Sequence, residues 1–188
     1  LIIISISCLA IYSVVRGLDN GVRKLSNINI GMAICLMLFI ILAGPTKTIV
    51  FSYSDNLANY FVDMFSLSAF DRQEDKQWYH DWTIFYWAWW ISWSPFVGIF
   101  IARISKGRTV REFLTVVMSA PLLFSLIWFS SFGATAISQY EANIGSLPNN
   151  TGEMSLILFL MLENLVFPII SSLFALALLV FFFVTSSD

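Results

Sequence analysis

The 188-residue sequence predicts an all-α integral membrane protein with about five transmembrane helices. Three observations predict it. Hydrophobic residues make up 58% of the chain and charged residues only 12%, against about 25% charged in an ordinary soluble domain, and mean hydropathy is +0.79. The apolar residues gather into long runs close to the roughly 20 residues that a spanning helix needs. Lys and Arg concentrate in alternate connections between those runs, as the positive-inside rule requires of cytoplasmic loops.

The elements follow in chain order. A first apolar run covers residues 1–15 and is followed by Arg16, Asp19, Arg23 and Lys24. A second covers 28–43. The connection 45–81 carries Asp55, Asp63, Asp71, Glu74, Asp75 and Asp81 against Lys47, Arg72 and Lys76, and its stretch 66–81 is the most polar of the chain. A third run covers 82–104 and leads into Arg103, Lys106, Arg108, Arg111 and Glu112. A fourth covers 113–137, and the loop after it holds Glu141 and Glu153 without a basic residue. Basic loops inside and acidic loops outside put Leu1 at the outer face and Asp188 at the inner one. Both termini fall in apolar runs, so the chain reads as an internal piece of a longer protein.

Two segments depart from a simple span. Residues 155–187 are apolar over roughly 50 Å of helix at 1.5 Å per residue, against a hydrocarbon core of about 30 Å. Glu163 and Pro168 therefore predict a break, with a short outer helix and then a span over 167–184. Glu163 reads as a solvated interfacial charge. Residues 106–113, K-G-R-T-V-R-E-F, mix charge with Val110 and Phe113 and predict a short amphipathic helix at the inner surface.

Cys8 and Cys35 read as small buried hydrophobes, and His80 as a solvated residue of the polar loop. No paired carboxylates, Cys–His set or metal-ligand cluster lies at membrane depth, which argues against an enzyme.

The informative stretch is 81–106, with tryptophan at 82, 87, 89, 90 and 93. An interfacial aromatic belt accounts for Trp78, Tyr79, Trp82 and Tyr86. It does not account for Trp89 to Trp93, which lie about 10–16 Å deeper at 1.5 Å per residue, where an indole N–H has no water to bond. Trp89 and Trp93 are spaced i, i+4, and Trp90 and Trp93 i, i+3, so they are neighbours on one face. Phe85 and Phe96 extend that stripe. Indole faces gathered in a low-dielectric place suit a bulky alkylated cation that cannot donate hydrogen bonds. Each ring–cation contact contributes about 2 kcal/mol when desolvated, and two to four give very roughly 4–8 kcal/mol, or millimolar to micromolar affinity. Helix packing is the other reading of such a cluster. Pro95 removes a hydrogen bond from the carbonyl of Ile91, which must be satisfied by hydroxyls or neighbouring helices or line a cavity. Ser92 and Ser94 stand beside it, and interrupted helices near the midplane are where transporters place substrate and ions.

The run W-T-I-F-Y-W-A-W-W-I-S-W-S-P-F, continued by A-R-I-S-K-G-R-T-V-R-E-F, closely resembles the signature of the betaine/choline/carnitine transporter family. Three shorter segments resemble family segments in the family's order: G-L-D-N-G-V-R-K-L-S-N-I-N-I at 17–30, A-G-P-T at 43–46 and F-F-V-T-S-S-D at 182–188. The loops 66–80 and 139–153 carry no family pattern. The resemblance implies a ten-helix inverted-repeat core of the leucine-transporter type. Residues 1–65 would end the first repeat and 82–188 would begin the second, within one transporter domain. It implies that Trp89, Trp90 and Trp93, with Phe85 beside them, line the substrate path, Trp90 belonging to the aromatic box around a trimethylammonium group. The rest of that box lies on a helix outside this chain.

The resemblance further implies a Na⁺ site at the Phe182 carbonyl with the hydroxyls of Thr185 and Ser186, and a weaker second one near Phe96. Back-bonding of such hydroxyls to their own helix is the ordinary alternative. Retention of I-S-W-S-P favours an ion-coupled symporter, driven by Na⁺ or H⁺, over an ion-independent exchanger of the same family. A non-transporting membrane receptor is the reading from another class. The expected partners are a quaternary ammonium compound, the lipid bilayer of a bacterial inner membrane and, through the helix begun by residues 106–113, a homotrimer. No nucleic acid and no cofactor beyond the coupling ion are expected.

Overall fold

A computed structural model describes residues 23–69, 76–150 and 152–187. Helix α1 is Arg23–Ala43 and α2 is Thr46–Ser68. A single turn, α3 (Lys76–Trp78), passes through a π-helical stretch, Tyr79–Ile84, into α4 (Phe85–Ile104). Helix α5 is Val110–Glu141. Two 3₁₀ turns, Leu147–Asn149 and Met154–Leu156, lead to the short α6 (Ile157–Glu163), and α7 is Pro168–Ser187. Among the described residues, four stretches are long and apolar enough to cross a membrane: Lys24–Ala43, Lys76–Arg103, Val110–Glu141 and Pro168–Thr185. They contain the expected spans 28–43 and 113–137 and, to within a residue, 82–104 and 167–184. The span expected at 1–15 lies outside the described residues, as does Cys8.

The connection 45–81 is not simply a loop. Residues Thr46–Ser68 form a 23-residue helix, and His80 falls in the π-helical stretch. The reason is periodic: at about 100° per residue Phe51, Ala58, Phe61, Val62 and Phe65 fall on one side of the helix, while Ser52, Asn56 and Asp63 share the other. Three charges over this length make it a poor span without making it a poor helix.

The sequence 43–46 is a built corner. Gly44 has no room for a side chain, because a β-carbon there would lie 2.7 Å from the Ile40 carbonyl oxygen and 3.0 Å from Thr135 Oγ1. Pro45 opens α2, with Ile49 N–H donating to its carbonyl at 3.0 Å. The Thr46 hydroxyl donates to the Ile41 carbonyl at 2.8 Å, satisfying one of the carbonyls that α1 leaves open at its end.

Residues 106–113 do not form a separate amphipathic helix. Thr109 caps α5: its Oγ1 accepts from Glu112 N–H at 3.2 Å, and the Arg108 guanidinium pairs with Glu112 at 3.2 Å. The T-x-x-E spacing is a helix-start signal, so the basic stretch becomes a turn and the first turn of a 32-residue helix.

The break near Glu163 is as expected. Asn164 Nδ2 donates to the Leu160 carbonyl at 3.0 Å, Phe167 adopts φ 57°, and Pro168 starts α7, where its missing N–H costs nothing. Glu163 is exposed, with the Ser146 hydroxyl 3.4 Å from Oε2.

The chain divides into two compact units, one within Leu1–Ser52 and Trp128–Asp188, the other Tyr53–Ile127. In the first, α7 packs against both α1 and α6, with a core of Leu36, Ile40, Leu147, Met161, Leu162, Ala175 and Leu178. At membrane depth such packing stabilises through van der Waals contact rather than water exclusion. Cys35, expected to be buried, is exposed; it borders an apolar recess of about 280 Å³ with Phe39, Phe167 and Phe174. A helix that faces hydrocarbon has no need to hide a thiol. The second unit holds α3, the π-helical stretch and α4.

Candidate substrate-binding site

Helix α4 continues directly from the π-helical stretch before it. Gln77 Nε2 bridges both carboxylate oxygens of Asp81 at 3.0 Å each, and Phe85 N–H closes the stretch by donating back to the Trp82 carbonyl. Single π turns within α-helices are frequent at functional sites. Here the turn precedes a run of rings in mutual contact. Trp82 stacks on Tyr86 with centroids 5.9 Å apart and planes 10° apart. Tyr86 lies 5.8 Å from Trp89, and Trp89 meets Trp93 edge to face at 6.3 Å.

A groove of about 510 Å³ runs along this helix, lined by Tyr86, Trp89, Trp90, Trp93, Ser94, Val97, Gly98 and Ile101. The three expected tryptophans are thus brought to one space. They are not wedged into a core, since Trp89, Trp90 and Trp93 are 46%, 69% and 53% exposed. Among the described residues no charged side chain lines the groove, so a permanent cation there would be held by ring faces.

Phe85 and Phe96 are placed differently from expectation. Neither is among the groove-lining residues. Phe85 stands behind the wall, 6.0 Å from Trp89 and edge-on to Tyr86 at 5.7 Å. At 3.6 residues per turn both phenylalanines lie more than about 100° around the helix from Trp90, on the flank of the stripe rather than its centre. Tyr86, Val97 and Ile101 take that centre. The spacing i, i+4 from Tyr86 to Trp90 carried the signal, but Tyr86 reads more readily as part of the interfacial belt.

Pro95 leaves α4 unbroken. The Ser94 hydroxyl donates to the Ile91 carbonyl at 2.8 Å, supplying the hydrogen bond that the proline cannot. Ser92 donates likewise to Trp89 at 2.8 Å. Gly98 has nothing within 4 Å of a β-carbon position, which leaves that part of the groove open.

At the expected ion site, the Thr185 hydroxyl is shared between the Phe181 and Phe182 carbonyls at 3.1 and 3.0 Å. Its proton is committed to its own helix while its oxygen lone pairs remain available. The Ser186 side chain lies outside the described residues. Phe96 is 73% exposed on α4.

The sequence matches relatives along its whole length. It is 48% identical over 187 residues to a glycine betaine/proline/choline transporter of Vibrio parahaemolyticus, covering 100% of this chain and 34% of that protein. It is 43% identical over 195 residues to an uncharacterized transporter of Haemophilus influenzae, covering 100% and 29%. It is 41% identical over 193 residues to the glycine betaine transporter OpuD of Bacillus subtilis, covering 100% and 37%. The chain therefore spans about a third of the length of the curated relatives it matches. The family model described as betaine/carnitine/choline family transporter covers residues 1–188. With its membrane-length helices and its tryptophan-lined groove, this multi-pass segment of a bacterial inner-membrane protein belongs to the betaine/carnitine/choline transporter family, a family of transporters and not of enzymes.

Proposed function

We propose that the intact protein carries a betaine-like quaternary ammonium compound across the bacterial inner membrane by secondary active transport, coupled to Na⁺ or H⁺. The observation that carries this reading is the groove of about 510 Å³ walled by Tyr86, Trp89, Trp90 and Trp93 on one membrane-length helix. Such a wall offers several electron-rich faces and no competing charge, which suits a head group that is cationic yet has no N–H to donate. Coupling follows if substrate and ion each stabilise the same conformation. Thr185, Ser186 and the Phe182 carbonyl form the proposed Na⁺ site, Phe96 a second one, and homotrimeric assembly belongs to the same proposal. Relatives named for glycine betaine, proline and choline support the substrate class.

The test is uptake by the full-length protein in proteoliposomes. Labelled glycine betaine, choline and carnitine are each offered under separate Na⁺ and H⁺ gradients. One of them should accumulate under one gradient, and Trp90→Leu should abolish that uptake while the protein is still made and inserted. Normal affinity in Trp90→Leu would sink the site. Uptake that ignores both gradients and needs internal counter-substrate would replace symport by exchange, and binding without translocation would replace transport by reception.

A further inference from the structure

We infer that Tyr86 reads the far end of the substrate: its phenol donates a hydrogen bond to the carboxylate of a zwitterion whose ammonium head rests on Trp89, Trp90 and Trp93. This rests on the transport reading above and narrows it to carboxylate-bearing quaternary ammonium compounds, in preference to choline or a simple tetraalkylammonium ion.

Placement comes first. Tyr86 borders two spaces, the tryptophan groove and a recess of about 570 Å³ shared with Thr83, Trp87 and Trp90. It stands three residues before Trp89, a rise of about 4.5 Å. That displacement suits a ligand whose charges are separated by a single methylene.

The ring is also buttressed by three aromatic neighbours. It stacks on Trp82 at 5.9 Å, receives Phe85 edge-on at 5.7 Å and leans on Trp89 at 5.8 Å. A donor buttressed in this way costs little ordering entropy when the ligand arrives.

The inventory of hydroxyls then singles it out. Ser94, the other hydroxyl of the groove, gives its proton to the Ile91 carbonyl. The Tyr86 hydroxyl makes no hydrogen bond with any described residue, so its proton is free to meet an anionic oxygen. The indole N–H groups can also donate, but Tyr86 is the residue whose donor can be deleted while its ring stays in place.

The experiment is Tyr86→Phe in the full-length protein reconstituted in proteoliposomes. It reads the KM and maximal rate for glycine betaine, the inhibition constants of choline and tetramethylammonium against that uptake, and the melting temperature. The expected result is a KM for glycine betaine raised about tenfold or more. Inhibition by tetramethylammonium, which has no acceptor, should stay within about twofold of the wild type, with choline between the two. An unchanged KM for glycine betaine would overturn the inference. So would parallel weakening of all three ligands, or a lowered melting temperature that Tyr86→Trp corrects along with uptake, since the ring alone would then be at work. Failure of tetramethylammonium to compete in the wild-type protein would remove the cation site itself, and this inference with it. Competition in the wild type with no discrimination by Tyr86→Phe would remove only the inference.

Discussion

The Ser94 hydroxyl stands 2.8 Å from the Ile91 carbonyl oxygen, the acceptor that Pro95 leaves without its helical N–H. A carbonyl left open in hydrocarbon costs several kcal/mol, and one left open in a protein about 1–3 kcal/mol. Ser94 is thus a local repair that keeps α4 continuous through the middle of the tryptophan wall. Ser94→Ala should lower the melting temperature of the detergent-solubilised full-length protein, and Ser94→Thr, which keeps the hydroxyl, should restore most of it. If alanine is tolerated without loss, the carbonyl has another partner.

The tryptophan wall makes a graded prediction. If Trp90 contributes a ring face to a desolvated cation, Trp90→Phe should weaken substrate affinity less than Trp90→Leu. The leucine variant should lose about 30-fold, since a desolvated contact of about 2 kcal/mol corresponds to that factor at about 1.4 kcal/mol per tenfold. Equilibrium binding to the purified full-length protein checks it. Equal losses for Phe and Leu would mean that shape rather than the ring quadrupole matters.

Much of this was legible beforehand, and the exceptions have physical causes. Long apolar runs declare spans because hydrocarbon tolerates little else, so the four membrane-length apolar helices among the described residues match the expected ones closely. Helix α2 is hard to see in the sequence because Lys47, Asp55 and Asp63 make it too polar for a span, whereas Phe51, Ala58, Phe61, Val62 and Phe65 fall on one helical face. The charges of 106–113 suggest an amphipathic helix, whereas the spacing of Thr109 and Glu112 within it marks a helix start. Within the site, i, i+4 arithmetic found Trp89 and Trp93 but assigned Phe85 and Phe96 to the same face. The six-residue π-helical stretch, Tyr79–Ile84, which no residue pattern in 79–84 announces, precedes α4.

A second stability prediction concerns Gly145. Its φ is 69°, and a β-carbon there would fall on the Asn164 carboxamide, which lies within reach of both Leu160 and Gln139. Gln139 in turn donates to the Met161 carbonyl at 3.2 Å, so the end of α5 is fastened to α6 through one polar cluster. Gly145→Ala should destabilise by about 1–2 kcal/mol for the left-handed backbone and by a further ~1–3 kcal/mol for overpacking. Adding Asn164→Ala should remove the overpacking part, so the double variant should be less damaged than the sum of the singles. Thermal unfolding of the four proteins gives the cycle. Simple additivity would mean that the two residues do not meet.

The last prediction separates two roles for Thr185. Its hydroxyl proton is shared by the Phe181 and Phe182 carbonyls at 3.1 and 3.0 Å, and a back-bond of that kind needs no ion. A donated proton nevertheless leaves the oxygen lone pairs open to a hard cation, so the two roles are compatible and must be told apart by what responds. Thr185→Val keeps the shape and deletes the oxygen. If Thr185 is a Na⁺ ligand, the Na⁺ concentration for half-maximal uptake should rise about tenfold, ~1.4 kcal/mol, with Thr185→Ser close to the wild type. Because linkage is reciprocal, substrate affinity measured without Na⁺ should be unchanged, while the gain in affinity on adding Na⁺ should shrink. Loss of affinity with and without Na⁺ alike would instead assign the hydroxyl to its helix alone.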